Sequence, residues 1–133
     1  MGKYKVIVTA RSFGKADDQA LRLLEEHGCD VVRLAAGDAA FDEQIKKEIM
    51  AADAVIAGLD AYSGELIDSA ERLKVISRYG VGYDKVDVEA ANRKGILVTI
   101  TPGANGDSVA DLAVTLMLDA ARNVAAMDAA MKG

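Results

Sequence analysis

The chain has 133 residues, of which 51% are hydrophobic and 28% charged, and its formal net charge at pH 7 is −5. This length favours one domain with a real hydrophobic core, and no segment approaches the run of roughly 18 apolar residues that a membrane span needs. The acidic balance and the scattered basic residues argue against a general nucleic-acid binder, because neutralising phosphates takes clustered Lys and Arg. With no apolar signal segment near the amino terminus, we expect a soluble cytoplasmic protein.

Apolar, β-branched segments alternate with segments of helical periodicity along the chain. Strands are predicted at residues 4–10, 30–35, 54–59, 73–76 and 96–101. Helices are predicted at residues 16–27 with Gly28 at the end, from Phe41 through Ile49, from an N-cap at Ser63 to Ala70, and at residues 88–94 between Asp87 and Gly95. A long helix should follow the loop 103–107, because Ser108 and Asp111 have capping-box spacing.

Five strands, each followed by a helix, predict a doubly wound, parallel α/β sheet with right-handed crossovers. At this length the flavodoxin-like strand order 2-1-3-4-5 is the natural expectation. Ligands of such sheets bind beyond the carboxyl ends of the strands. The candidate positions are therefore residues 11–13, 59–60, 78–82 and 102–108.

Cys29 is the only cysteine and His27 the only histidine. A single cysteine excludes an intramolecular disulfide, and the pair is too small a set for a Cys/His zinc site. Both residues follow the first predicted helix, where a histidine at a helix C-terminus and a small buried cysteine are common. We expect structural roles for both and no metal site.

The stretch LKVISRYGVGYDKVD at residues 73–87 joins a strand to a helix through a loop with two glycines. Gly80 and Gly82 permit positive φ or close approach of a ligand to the backbone, and Arg78 supplies a planar cation suited to a carboxylate or phosphate. The amides near Val81 and the following helix N-terminus can face an anion. We expect Arg78, these amides and Asn105 to bind one small anion; an ordinary turn with a solvated Arg78 is the alternative.

Other ligand-binding motifs fit less well. The sequence GVGYDK imitates a dinucleotide fingerprint, but Lys85 stands where the third glycine belongs. A receiver domain puts an aspartate after its third strand and a lysine after its fifth. Asp60 matches the first requirement, but no lysine lies near Pro102. A flavodoxin is expected to have a hydroxyl-rich loop after the first strand, where this chain has only Ser12.

Four ordered motifs resemble the substrate-binding portion of the D-isomer-specific 2-hydroxyacid dehydrogenases, most strongly the phosphoglycerate dehydrogenases. They are LKVISRYGVGYDKVD at 73–87, KGI at 94–96, TPGAN at 101–105 and SVADL at 108–112. The likeness extends over nearly the whole chain. Lys85 replaces the usual Asn of the family and Asp111 the usual Glu, and the first change bears on hydrogen bonding within the loop.

The resemblance implies NAD-dependent hydride transfer on a 2-hydroxy acid such as 3-phosphoglycerate, in a cleft between this domain and a Rossmann domain. Arg78 would bind the anionic groups of the substrate, the backbone of Val81 and Gly82 would hold its carboxylate beside the nicotinamide, and Asn105 would contact it. In the family, the Rossmann domain carries the dinucleotide loop and the catalytic Arg, Glu and His. His27 lies too far away to replace that histidine. The 133 residues should therefore act as a truncated, inactive fragment without catalytic residues or a bound cofactor of their own.

The carboxyl-terminal helix has more apolar surface than one contact requires. One stripe contains Val109, Leu112, Leu116 and their neighbours, and Val114, Leu118, Ala121 and Ala125 make a second face apolar. The second face predicts a partner, either the Rossmann domain or another copy of the chain in a homodimer through residues 108–132. A free-standing flavodoxin-like module that binds an anion or a protein is the alternative function.

Overall fold

The computed structural model describes residues 2–34 and 40–133. Contacts divide the chain into two compact units, Met1–Pro102 and Gly103–Gly133. The described part of the first unit contains, in chain order, β1 (Tyr4–Val8), α1 (Gln19–Glu26), β2 (Cys29–Arg33), α2 (Phe41–Ile49), β3 (Ala54–Ala57), α3 (Gly64–Ser69), β4 (Val75–Arg78), α4 (Val88–Arg93) and β5 (Leu97–Thr99).

The five strands form one parallel sheet in the order β2-β1-β3-β4-β5. The predicted fold class and strand order are both confirmed. In the register of the sheet, Val8 lies opposite Ile56 and Ala57 lies opposite Arg78. The loops after β1, β3 and β4 therefore leave the sheet side by side at its carboxyl edge.

Hydrophobic clusters cover the two faces of the sheet, because successive strand residues point in opposite directions. The larger cluster includes Ile7 of β1 and side chains of α2, α3 and α4. The smaller one packs α1 against Val8 and the loop residue Phe13. Phe41, Ile45 and Ile49 are all buried, as their spacing of four residues along α2 predicts.

Four predicted helix boundaries are confirmed. The side chains of Ser63 and Asp87 accept hydrogen bonds from backbone N–H groups three residues ahead, at 3.4 and 2.9 Å, as N-caps do. Gly28 and Gly95 follow the ends of α1 and α4 with φ of 75° and 68°. A residue with a Cβ atom is strained at such angles, so glycine suits both ends.

Other predicted boundaries are displaced. The first helix begins at Gln19 rather than at residue 16, because the Asp17 carboxylate accepts a hydrogen bond from the Gln19 N–H at 2.6 Å and forms a turn before the helix. The first, third and fifth strands end earlier than predicted, at Val8, Ala57 and Thr99. The prediction followed the apolar segments, which continue beyond the last residue paired with a neighbouring strand. Ala35, the predicted end of the second strand, lies outside the described residues.

The second unit contains α5 (Gly106–Arg122) and α6 (Val124–Lys132). The capping box predicted at Ser108 and Asp111 is wrong, because the helix already begins at Gly106 and both residues lie inside it. Asn105, itself a residue type favoured at the N-cap position, precedes the first turn. None of the helices among residues 2–34 and 40–133 is long and apolar enough to cross a membrane.

The predicted long carboxyl-terminal helix is present as α5, and a second helix, α6, continues the chain after a break. Asn123 has a left-handed backbone with φ of 53° and separates α5 from α6. Asparagine tolerates this conformation better than other residues with a side chain. The Asp119 carboxylate then accepts from the Ala125 N–H at 2.8 Å, which satisfies an amide at the start of α6.

The apolar side chains of α5 are exposed on both predicted faces. Leu116 of the first stripe is 58% exposed, and Leu118 of the second face is 62% exposed.

A buried carboxylate joins three segments at the amino edge of the sheet. Asp53, which is 5% exposed, accepts a hydrogen bond from the Lys5 N–H at 3.0 Å. Nη2 of Arg72 lies 3.0 and 3.1 Å from the two carboxylate oxygens of Asp53. The backbone carbonyl of Asp53 accepts a hydrogen bond from the Lys74 N–H. The Lys5 N–H, aided by Arg72 and Lys74, holds the pKa of Asp53 below its ordinary value of 3.8, although burial acts in the opposite direction.

We expect Asp53→Asn to lower the free energy of unfolding at pH 7 by about 2 kcal/mol, because charge-assisted hydrogen bonds are lost. The unfolded chain takes up this proton at a higher pH than the folded chain does. The contribution of Asp53 is therefore complete above the ordinary carboxyl pKa and disappears as the pH falls towards the lower folded value. Urea titrations at pH 7 and pH 3 should show the difference between the two proteins shrinking in acid.

Asp68→Asn is the matched control, because Asp68 is an exposed residue of α3 and its carboxylate has no bonded partner within the described chain. It should change the free energy of unfolding by less than about 0.5 kcal/mol. Equal effects of the two substitutions would contradict the account of Asp53.

Candidate functional site

Three loops of the first unit are tied together at the carboxyl edge of the sheet. The Thr9 N–H donates to the Ile56 carbonyl at 3.0 Å, and the Tyr79 N–H donates to the Ala57 carbonyl at 2.9 Å. The loop after β4 is held from its other side by the Thr101 N–H, which donates to the Gly80 carbonyl at 3.0 Å. The ring of Phe13 meets that of Tyr79 edge to face, with centroids 5.7 Å apart.

A buried pair of hydroxyl groups lies beneath these loops. Thr9 Oγ1 and the Tyr62 hydroxyl are 2.9 Å apart, and Thr9 Oγ1 also accepts from the Gly58 N–H at 2.9 Å. Thr9 is 1% exposed and Tyr62 0%. A Cβ atom on Gly58 would lie 2.8 Å from the Thr9 carbonyl oxygen, so the two loops approach as closely as glycine allows.

The backbone of Tyr62 connects the loop after β3 to the end of the loop after β4. Its N–H donates to the Lys85 carbonyl at 2.8 Å, and its carbonyl accepts from the Asp87 N–H at 2.9 Å. The sequence analysis did not identify Thr9 or Tyr62. The available signal was Thr9 itself, a hydroxyl residue within an otherwise apolar predicted strand.

The Tyr62 hydroxyl remains protonated at neutral pH. Burial raises its pKa above the ordinary tyrosine value of 10.0, and the hydrogen bond to Thr9 offsets part of that effect. The charge of Asp60 raises the pKa further, whereas that of Arg78 lowers it. The neutral phenol therefore serves as a hydrogen-bonding group that positions the loops.

Arg78 is the last residue of β4 and is half-buried. Its Nη1 donates to the Tyr79 carbonyl, and a Cβ atom on Gly80 would lie only 2.7 Å from that nitrogen. Gly80 has φ of 150°, which confirms the predicted need for glycine there. Within the described chain no carboxylate lies within 4 Å of the guanidinium, which leaves this cation available to an anionic ligand.

Val81 and Gly82 form the exposed part of the same loop, and Val81 is 42% exposed. Over residues 2–34 and 40–133, neither backbone N–H donates a hydrogen bond to another group. Gly82 does not have the positive φ that the sequence permitted. The loop therefore presents two free amides next to Arg78.

The loop after β4 leads into the helix that begins after Asp87, as predicted, but its two glycines are not adjacent to that helix. Residues 83–87 separate Gly82 from α4. The first turn of α4 is already capped, because Asp87 Oδ1 accepts from the Ala90 N–H. An anion at the loop would be held by Arg78 and the loop amides without the helix terminus.

Asn105 lies in the second unit, directly before α5, and is exposed. Its carbonyl accepts from the Val109 N–H at 3.0 Å, and its side chain forms no capping bond. Of the four predicted site residues, the structure places Arg78, Val81 and Gly82 in one loop of the first unit.

His27 and Cys29 lie at the opposite edge of the sheet from this loop. His27 follows the end of α1, with Nδ1 2.8 Å from the Leu23 carbonyl oxygen, and Cys29 begins β2 with a half-buried thiol. His27 is thus far from the candidate site, as predicted. Within the described part of the chain, no three His, Cys, Asp or Glu residues are grouped to hold a metal ion.

Comparison with protein families identifies the chain. The model of the D-isomer specific 2-hydroxyacid dehydrogenase catalytic domain matches residues 6–132. The chain belongs to this dehydrogenase family. The resemblance carried by the four sequence motifs is thereby confirmed.

Several known 2-hydroxyacid dehydrogenases are similar to this chain. D-3-phosphoglycerate dehydrogenase of Methanocaldococcus jannaschii is 42% identical over 116 residues, which is 86% of this chain and 21% of that protein. Glyoxylate reductase of Thermococcus litoralis is 47% identical over 70 residues, which is 53% of this chain and 21% of that protein.

Solved structures agree with this assignment. The TT0316 protein of Thermus thermophilus has a TM-score of 0.84 and 37% identity over 96% of this chain and 40% of its own. The NAD+-bound 3-phosphoglycerate dehydrogenase of Entamoeba histolytica has a TM-score of 0.74 and 33% identity over 87% of this chain and 38% of its own. The chain spans between a fifth and two fifths of the length of these relatives.

The loop after β4 lacks the features that bind the phosphates of a dinucleotide. A dinucleotide loop leads directly into a helix N-terminus and has a third glycine for close packing. Here Lys85 takes that position, and Asp87 places a carboxylate at the start of α4. A negative side chain at that terminus opposes a pyrophosphate.

The Thr9 hydroxyl forms two hydrogen bonds and the Tyr62 hydroxyl forms one. Removing them should therefore lower the free energy of unfolding by different amounts. Thr9→Val leaves both the Gly58 N–H and the Tyr62 hydroxyl unpaired in the core, and we expect it to lower the free energy of unfolding by about 3 kcal/mol. Tyr62→Phe leaves the Gly58 N–H paired and should cost about 1 kcal/mol. Urea unfolding at pH 7 measures both, and a larger cost for Tyr62→Phe would contradict this network.

Proposed function

We propose that these 133 residues form the substrate-binding domain of an NAD-dependent dehydrogenase that acts on a small D-2-hydroxy acid, as phosphoglycerate dehydrogenases do. The observation that carries this proposal is the half-buried Arg78, which forms no ion pair within the described chain, beside the free amides of Val81 and Gly82. A guanidinium forms two parallel hydrogen bonds with a carboxylate, and backbone N–H groups suit the same anion.

Each residue has a distinct part in the proposed complex. Arg78 neutralises the anionic groups of the substrate, and the amides of Val81 and Gly82 orient its carboxylate. Asn105 is proposed to contact the substrate through its amide side chain. Val81 lies on the side proposed to face the nicotinamide, which accepts the hydride in such enzymes.

The remaining chemistry is assigned to residues other than these. Family membership supports a cofactor site on a separate NAD-binding domain. The proton-transfer residue is proposed to lie there as well, because His27 is at the wrong edge of the sheet. We expect the 133 residues alone to produce no NADH from D-2-hydroxy acids.

The binding proposal predicts a weak but localised interaction with D-lactate, the simplest chiral 2-hydroxy acid. In an amide NMR titration, the residues after β4 should shift at millimolar concentration, because an open half-site leaves its charges screened by water. Arg78→Gln should raise the dissociation constant at least about fivefold, equal to ~1 kcal/mol, as a charge-assisted bond is lost.

Arg93→Gln is the control for the loss of one positive charge, because Arg93 is an exposed residue at the end of α4. It should leave the dissociation constant within twofold of the original. Absence of any shift after β4 at 20 mM D-lactate would refute the proposed function.

When no NAD-binding domain covers α5, we propose that its partner is a second copy of the chain. An exposed apolar helix is also compatible with the alternative function, a free-standing module that binds another protein. The exposed apolar side chains of α5 and α6 support this proposal. At ~25 cal/mol per Å², burial of a few hundred Å² favours association by several kcal/mol before its entropic cost. A two-fold arrangement of these helices closes the assembly at a dimer.

Light scattering at about 0.1 mM should therefore detect a dimer. Leu118→Lys should dissociate it and leave the far-UV circular dichroism unchanged, because a charge on the second apolar face opposes desolvation. Ala120→Lys, on the opposite side of α5, is the matched control. Dissociation by Ala120→Lys alone would show that the other stripe forms the contact, and a monomer at this concentration would refute the dimer.

A further inference from the structure

Two aromatic rings connect the loop after β1 to the loop that follows Arg78. The ring of Phe13 meets that of Tyr79 edge to face, with centroids 5.7 Å apart and an angle of 86° between the ring planes. Phe13 is 8% exposed and packs with Val8 and Ala10 in the smaller hydrophobic cluster, whereas Tyr79 is 46% exposed. The buried ring is therefore the fixed member of the pair, and the contact holds the half-exposed ring against it.

The loop after β1 is itself fixed by Arg33, the last residue of β2. Nη2 of Arg33 donates to the Phe13 carbonyl at 2.8 Å. A Cβ atom on Gly14 would lie 2.8 Å from the same nitrogen and 2.5 Å from Cδ1 of Leu21. Gly14 also has φ of 66°, at which a side chain is strained. Glycine at this position therefore lets the guanidinium reach the backbone of Phe13, which holds the residue in place from a second strand.

The half-exposed ring lies close in sequence to the amides proposed to hold the substrate carboxylate. Tyr79 stands between Arg78 and Gly80, and the N–H groups of Val81 and Gly82 donate to no group of the described chain. The Gly80 carbonyl accepts one hydrogen bond at 3.0 Å. A single bond of this kind, next to a glycine with its wide backbone freedom, lets the following amides tilt. A Tyr79 side chain that is held in place reduces this freedom, because it fixes the residue before Gly80.

We propose that Phe13 is a positioning residue for substrate binding. Its ring holds Tyr79, and the amides of Val81 and Gly82 thereby keep the direction in which they meet the substrate carboxylate beside Arg78. Groups already held in their bound geometry lose less entropy when the ligand arrives. The inference rests on the proposed function, in which these groups bind the acid. It adds the loop after β1 to the parts of the fold that control binding.

Leucine in place of either ring tests the contact, because leucine remains apolar but has no aromatic edge or face. Phe13→Leu and Tyr79→Leu should each raise the dissociation constant of D-lactate about fivefold. The constant is measured with the 133-residue chain from the amide shifts of the residues after β4. The two effects should not multiply, because either substitution alone removes the ring contact. The double variant should therefore stay near about fivefold rather than reach about 25-fold.

Two control variants separate positioning from a general loss of structure. Phe41→Leu is the matched substitution, because Phe41 is also 8% exposed and packs in the larger cluster, on the opposite face of the sheet. In urea titrations it should lower the free energy of unfolding as Phe13→Leu does, while the dissociation constant stays within about twofold of the original. Tyr79→Phe keeps the ring and loses only the hydroxyl group, so its binding should also stay within about twofold.

The outcomes distinguish this inference from the proposed function. If D-lactate binds in an Arg78-dependent manner while Phe13→Leu matches the original chain, the role of Phe13 is refuted and the proposed function stands. Equal weakening by Phe41→Leu, or effects that multiply in the double variant, also refutes it. If D-lactate shifts no residue after β4 in the original chain, the proposed function fails and the role of Phe13 fails with it.

The half-exposed ring of Tyr79 keeps the test decisive if Phe13→Leu does not fold. Its replacement removes the same contact without emptying the hydrophobic cluster. Weaker binding by Tyr79→Leu than by Tyr79→Phe then supports the positioning role. Equal binding by these two variants refutes it, because the ring contact would have no effect on the ligand.

Discussion

The hydrogen bond between Thr9 and Tyr62 is the interaction on which the carboxyl edge of this sheet depends. It joins residues 53 positions apart in the sequence, and both side chains are fully enclosed by the protein. Thr9 also fixes the Gly58 N–H, and the backbone of Tyr62 fixes residues 85–87. A buried polar network of this kind stabilises one arrangement because any other leaves its donors unpaired.

The groups that we propose to bind the substrate lie on the loops that this network holds. Tyr79 is bonded to the end of β3 and Gly80 to Thr101, so the segment that contains Arg78 is supported from both neighbouring strands. By contrast with this framework, Arg78 forms one hydrogen bond, to the Tyr79 carbonyl, and the N–H groups of Val81 and Gly82 form none within the described chain. Binding groups with unused hydrogen-bonding capacity on a rigid support are what a preorganised site requires.

The fold was predictable because its signals are local. The spacing of Phe41, Ile45 and Ile49 defines a helix face, and the caps at Ser63 and Asp87 act within three residues. Signals of this kind specify the order of strands and helices, and the strand order then follows from general rules of α/β topology.

The features that sequence reasoning missed depend either on contacts between residues far apart in the sequence or on local backbone conformations that the residue pattern does not specify. Neither Thr9 nor Tyr62 has a neighbour in sequence that marks it as part of a network. The helix after Asn105 starts before Ser108, because nothing between them opposes helical backbone angles. It ends at Asn123, whose left-handed backbone conformation cannot be recognised from the spacing of apolar residues. Arg78 was predictable from a motif, but its freedom from any acidic partner required the structure.

Amide hydrogen exchange tests the central claim most directly, namely that a fixed network beneath the loops leaves selected amides free for a ligand. In the unliganded chain, the Gly58 N–H should exchange as slowly as that of Val55 in the middle of β3, because both are buried. The N–H groups of Val81 and Gly82 should exchange at the rate of an unprotected loop. Rapid exchange at Gly58, or protection at Val81 equal to that at Val55, would contradict this account.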